Sequence, residues 1–198
     1  MSEWWTYRLS DFLMFSPRTY WRLMELYNRD FWPLHVATLL AGIAALGLAA
    51  SRNAVAQRVM VILLAATWLW VGWAFHWQRY ATINWAAQYV ALAFAAQAVL
   101  LLGLGLQRHR EAVANANWRL AGWLLASAGV LYPLAAPLAG RPWAQAEVFG
   151  MAPEPTALLT LGVLMISHAP RQIRFLLLAG IPVASLLLGA ATIWTFST

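Results

Sequence analysis

The sequence predicts an all-α integral membrane protein: a bundle of six transmembrane helices preceded by an amphipathic interfacial helix. Three observations predict it. Hydrophobic residues make up 62% of the 198-residue chain and charged residues only 10%, whereas a soluble domain carries about 25% charged residues. The apolar residues collect into six segments, four of them long enough at about 1.5 Å per residue to cross about 30 Å of hydrocarbon. Finally, residues 68–87, WLWVGWAFHWQRYATINWAA, end one apolar segment, turn at 78–83 and open the next. Trp68, Trp70, Trp73, Trp77, His76, Arg79 and Tyr80 crowd together there, as amphipathic rings do at headgroup level.

Two parts are expected, an amphipathic segment at 1–33 and a membrane domain at 34–198. Residues 1–8 hold Glu3 and two tryptophans with no apolar run after them, so no cleavable signal is expected. Ser16 and Pro17 make a helix start, Ser at the cap and Pro at the first helical position. Tyr20, Leu23, Met24, Tyr27 and Phe31 then share one face, and Arg18, Arg22, Glu25 and Arg29 another. Such a helix either lies in the interface plane or packs over the mouth of the bundle.

The six spans are expected at about 34–50, 57–77, 85–106, 118–138, 154–169 and 173–196. The fifth is confined by Pro153, Pro155 and Pro170 to about 15 residues, which fits a short tilted span or a re-entrant half-helix. Charge favours six crossings. The N-terminal side, side A, would hold Arg8, Arg18, Arg22, Arg29, Arg79 and Arg141 against Glu3, Asp11, Glu25, Asp30, Glu147 and Glu154. Side B would hold Arg52, Arg58, Arg108, Arg110, Arg119, Arg171 and Arg174 against Glu111 alone, which is the whole net charge of +6. Arginines in short loops mark the cytoplasmic side, so both termini are expected outside. Small residues spaced by four (Thr38 and Gly42, Gly47 and Ser51, Ser185 and Gly189) suggest helix contacts. Pro133, Pro137, Gly180 and Pro182 should loosen the helices that contain them.

Composition removes several chemistries. There is no cysteine, so disulfides and thiolate sites are excluded. All 13 basic residues are arginines, which excludes Schiff-base lysine chemistry. The pI near 10.5 belongs to loop arginines, not to a basic patch, and no nucleic-acid partner is expected. No Asp, Glu, Arg or His falls near the middle of a span, so the mark of a proton relay or ion-coupled carrier is missing.

Polar groups converge at the side-A ends instead. The candidates for a ligand site or a polar network are His35, His76, Arg79, Tyr80, Asn84, Gln97, Glu147, Glu154 and Thr156. Gln97 is the deepest and reads as an interhelical hydrogen bond. Glu154 with Pro155 at a first helical position reads as a cap, or as the mouth of a ligand site. The two histidines and two glutamates come from four places without HxxH spacing. No metal site and no catalytic group is therefore assigned, and no cofactor is specified. Trp4, Trp5, Trp21, Trp32, Trp70, Trp73, Trp77, Trp85, Trp143 and Trp194 fall toward side A, against Trp118 and Trp123 toward side B. A belt marks both interfaces. The imbalance suggests that side A also meets a partner subunit, a lipid or quinone tail, or a flat pigment.

The chain also resembles a family of small bacterial polytopic membrane proteins classed as a domain of unknown function. The resemblance rests on Tyr27-Asn28, Trp32-Pro33, the run Trp70, Gly72, Phe75, His76 and Trp77, then Ile83-Asn84 and Ala86-Ala87. It continues through Gln97-Ala98, Tyr132-Pro133, Phe149-Gly150, Pro153, Pro155-Thr156 and Leu161-Gly162, covering roughly residues 20–195. Members often carry cysteine between the two prolines, where this chain has Glu154, so no thiol role carries over. The resemblance implies a multi-pass protein of a bacterial inner membrane and brings no activity with it. The leading expectation is a non-enzymatic accessory or assembly subunit packed in the bilayer against a larger complex, for instance a respiratory or photosynthetic one. The alternative is a small-solute or metal-ion carrier or channel, its mouth at the N-terminal side and lined by His35, His76, Glu147, Glu154 and Gln97.

Overall fold

A computed structural model describes residues 15–51, 53–107 and 114–196. Trp4, Trp5, Glu3, Arg8, Asp11, Arg52, Arg108, Arg110 and Glu111 lie outside the described residues. The fold is all-helical, with no strand among the described residues. Helix α1 spans Pro17–Asp30, and the Ser16 hydroxyl accepts from the Thr19 amide at 3.2 Å, as the Ser-Pro start predicts. Its apolar face is buried through Tyr20, Met24 and Tyr27, so α1 packs on the bundle. It meets α2 (Leu34–Ala49) at a 91° bend. Helix α3 (Ala54–Trp70) is capped by Asn53 and widens into a π-helical stretch, Val71–Trp77. Helix α4 (Ala87–Leu100) ends in the same way over Leu101–Gly105. Helix α5 (Ala116–Leu131) breaks at a tight turn, Tyr132–Leu134, where Pro133 removes a backbone donor, and resumes as the short α6 (Ala135–Leu138). Helices α7 (Pro153–Ser167) and α8 (Ile173–Thr195) complete the fold.

All six predicted apolar segments are helical, to within a few residues at their ends. Only four are long and apolar enough to cross a membrane alone: Ala54–Thr82, Ala87–Gly105, Ala116–Leu138 and Ile173–Thr195. A fifth appears if the bent pair α1 and α2 counts as one. Helix α7, with 15 residues, reaches only about 22 Å. By length and composition alone, four or five of the six expected spans qualify, because α2 has only 16 residues and prolines keep α7 to 15.

Helix α7 is nonetheless the centre of the molecule, with eleven of its fifteen residues buried. Its tightest neighbour is α5. A Cβ on Gly162 would strike the Ala126 nitrogen and the Gly122 carbonyl, and one on Gly129 would lie 2.7 Å from the Leu159 nitrogen. The expected small-residue contacts fare unevenly. Gly42 faces Phe149, and a Cβ there would sit 2.8 Å from the ring. Gly47 faces open space, so the Gly47/Ser51 pair makes no helix contact. Gly189 faces a side chain, Glu154, and not a helix backbone, and Ser185 lines the same cavity.

Two groups of contacts mark the two ends of the bundle. At one end Asn28 Nδ2 donates to the carbonyls of Ala144 and Ala146, Arg79 pairs with Asp30, and the Arg141 guanidinium lies 3.6 Å over the Trp21 ring. At the other end Gln57 reaches the Leu48 and Ser51 carbonyls, Trp118 reaches His168, and Arg174 reaches Gln107. Six indoles belong to helix ends and loops of the first end and are well exposed: Trp32, Trp73, Trp77, Trp85, Trp143 and Trp194, at 45–67%. Trp68 departs from the headgroup-level expectation. It is fully buried and its Nε1 donates to Thr160 Oγ1 at 2.9 Å, because it lies two turns into the helix above His76.

Candidate functional site

The nine candidate residues divide into one cavity and several structural networks. The cavity, about 150 Å³, opens between the end of α3, the start of α4, the first turn of α7 and the last turns of α8. His76, Tyr80, Asn84 and Glu154 line it, with Tyr20, Phe75, Ser185 and Thr192. His76 belongs to the π-helical stretch Val71–Trp77. Such widened turns recur at functional sites, since they re-aim a side chain that a regular helix would place elsewhere. Gly72 lets α3 approach α4 there: a Cβ would lie 2.9 Å from Phe94. His76 is 5% exposed, its ring centroid is 4.6 Å from Phe94, and neither ring nitrogen has a hydrogen-bond partner.

Glu154 reaches the same space from α7. The helix starts two residues earlier than the Glu-Pro reading expects: Pro153 is the first helical residue and Ala152 is the cap, so Glu154 stands inside the first turn. Its carboxylate turns toward α8. A Cβ on Gly189 would overlap Oε1, so the carboxylate occupies room that only glycine leaves, and Oε2 is buried without a partner. Asn84 Oδ1 accepts from the Ala86 amide at 3.1 Å, which shapes the turn into α4.

The remaining candidates stand apart. Gln97 is fully buried and its Nε2 donates to the Leu178 carbonyl at 2.9 Å. Pro182 is inside α8 and has no N–H, so the carbonyl four residues earlier, Leu178, has no helical donor. Gln97 supplies the missing bond, which is the interhelical role expected of it. Thr156 accepts from the Gly150 amide at 2.8 Å and donates to the Ala152 carbonyl at 2.7 Å, locking the turn before α7. Gly150 has φ +73°, and a side chain there would also meet Thr38 and Thr67. Arg79 ties α3 to α1 through Asp30.

Glu147 lies in the loop before α7, 4% exposed and 3.5 Å from Arg141. Burial pushes its carboxyl above the ordinary value, and Arg141 opposes that shift without cancelling it. His35 belongs to a separate, wider groove of about 580 Å³ between α1, α2 and the 143–148 loop. Asn28 donates twice through Nδ2, so its Oδ1 is an acceptor, and His35 Nε2, 2.9 Å away, carries the proton. Among the described residues no three His, Asp or Glu side chains stand together as a metal site would need.

Tyr20, Asn28, Ser185 and Thr192 were not singled out as site residues from the sequence. Ser185, Gly189 and Thr192 recur at four and three residues, one face of α8, and that spacing was the available signal. No curated protein and no solved structure matches the chain. A family model does match, over residues 18–198. The chain belongs to the family of unknown function DUF6064.

Proposed function

We propose that the chain is a multi-pass integral membrane protein that binds a small solute at the His76–Glu154 cavity and carries it, with the mouth at the side of α1. The observation that supports this reading is the cavity itself: buried His76 and half-buried Glu154, both with buried unsatisfied polar atoms, line one space. Buried polar groups are normally paired, so unpaired ones converging on a cavity point to a ligand. The four long apolar helices support the membrane setting. In this reading α2 and α7 complete six crossings, α7 surrounded by helices and not by lipid. The arginine-rich side B then faces the cytoplasm of a bacterial inner membrane, with both termini outside.

The test is passage across reconstituted vesicles. Stopped-flow light scattering would follow swelling in glycerol, propylammonium chloride and sodium propionate. At least one solute should enter faster than into protein-free vesicles, and His76→Ala and Glu154→Ala should abolish the difference. Equal rates in all three preparations would end the proposal.

The accessory-subunit reading is kept as the second, because six exposed indoles at one end offer more aromatic surface than anchoring needs. The groove beside His35, between Trp32 and Trp143, would then meet a lipid or quinone tail or a neighbouring subunit. Purification in mild detergent from native membranes should give a complex larger than the chain; a monodisperse monomer would refute it.

A further inference from the structure

We infer that the cavity takes a small organic ammonium cation, an inference that rests on the ligand-site reading above and narrows it to one chemistry. Charge carries the argument first. Glu154 places a carboxylate in the wall with Oε2 buried and unpartnered, no arginine is among the lining residues, and the chain has no lysine. A carboxyl in such a place keeps its charge only beside a cation, so a cationic ligand is favoured there over an anionic one. The acceptors are set for N–H donors. A neutral imidazole keeps one bare nitrogen, and His76 has no partner for either; Ser185 of α8 is also among the lining residues.

The rest of the wall is aromatic and aliphatic. Phe75 and Tyr80 stack at 5.7 Å, Tyr20 meets Tyr80 at 5.7 Å, and Val90, Leu188 and Ile193 close the cavity. Aromatic faces attract ammonium groups and tolerate their alkyl part. A bare metal ion fits poorly, since only one histidine and one carboxylate are within reach and structural or catalytic sites use three or more such ligands. Size sets the upper limit. A volume of about 150 Å³ is the size of cavity that holds benzene, so the ligand has about six non-hydrogen atoms or fewer. Gly189 completes the case, because any larger residue would push the Glu154 carboxylate out of its position.

The test is isothermal titration calorimetry on the full chain in nanodiscs, with propylammonium, propanol, propionate and Zn²⁺ as probes. Propylammonium should bind saturably, with propanol and propionate at least about tenfold weaker, since they lack the charge or invert it. Glu154→Gln, checked for an unchanged gel-filtration profile, should weaken propylammonium at least about tenfold. Gly189→Ala should do the same through displacement of the carboxylate. Should Glu154→Gln fail to fold, the ranking of probes by the unaltered chain decides alone. Tighter binding of Zn²⁺ or propanol than of propylammonium overturns the ammonium assignment and leaves the cavity a ligand site. Absence of binding by all four probes overturns both.

Discussion

Replacing Gln97 by Leu tests how a proline is accommodated in α8. Gln97 Nε2 donates at 2.9 Å to the Leu178 carbonyl, which Pro182 leaves without its helical donor. Leucine has similar volume and no donor, so the buried carbonyl would lose the bond that Gln97 supplies, at a cost of about 1–3 kcal/mol. Part of that is returned, because Gln97 Oε1 is itself buried without a partner and disappears with the substitution. Hydrogen bonds between membrane helices average only about 0.6 kcal/mol, since separated helices find other partners. A separated α8 would still contain Pro182, however, so Leu178 finds no partner within its own helix, and about 1–2 kcal/mol is the expected net cost. The double variant makes the reasoning strict. Pro182→Ala restores an N–H to α8, and Gln97→Leu should then cost close to nothing, a coupling of about 1–2 kcal/mol. Reversible unfolding in mixed micelles, read by tryptophan fluorescence, measures all four proteins. A coupling below about 0.3 kcal/mol would refute the account.

Three further outcomes are expected. Thr156→Val orphans the Gly150 amide, which is bonded to this hydroxyl, and should cost about 1–3 kcal/mol in the same assay, with Thr156→Ser near the unaltered chain. Gly162→Ala drives a methyl into the backbone of α5 and should cost about 3 kcal/mol or prevent folding, whereas Gly47→Ala, where a Cβ meets nothing, should stay within about 0.5 kcal/mol in thermal unfolding. Glu147 holds its proton more tightly folded than unfolded, so its contribution to stability falls as pH rises from the ordinary value of 4.5 through the raised native one. Melting temperature measured from pH 4.5 upward should therefore fall less steeply in Glu147→Gln than in the unaltered chain, and parallel curves would contradict the shift.

The positions of the helices were readable from the chain. Ser16 and Pro17 start α1 where expected, and apolar runs end within a few residues of the observed helices. Caps and hydropathy act over a few residues, so local sequence determines them. The gathering of most candidate polar residues toward one end was readable from their places at the ends of the apolar segments. Facing was another matter. An apolar helix is greasy on every side, so its sequence carries little signal for which side turns inward. For the same reason the Gly122, Gly129 and Gly162 crossing was passed over, and Gly47 was given a contact it does not make.

Composition and spacing thus determined an all-helical chain with long apolar helices, an amphipathic first helix and polar residues collected toward one end. Tertiary structure decided that the shortest helix, α7, is central, that Gln97 reaches a carbonyl 81 residues away, and that His76 and Glu154 share a cavity while His35 and Glu147 do not. The physical reason is that secondary structure follows from neighbours in sequence, whereas partnership between buried polar groups follows from shape, from where small residues let backbones approach and where a proline leaves a carbonyl unbound.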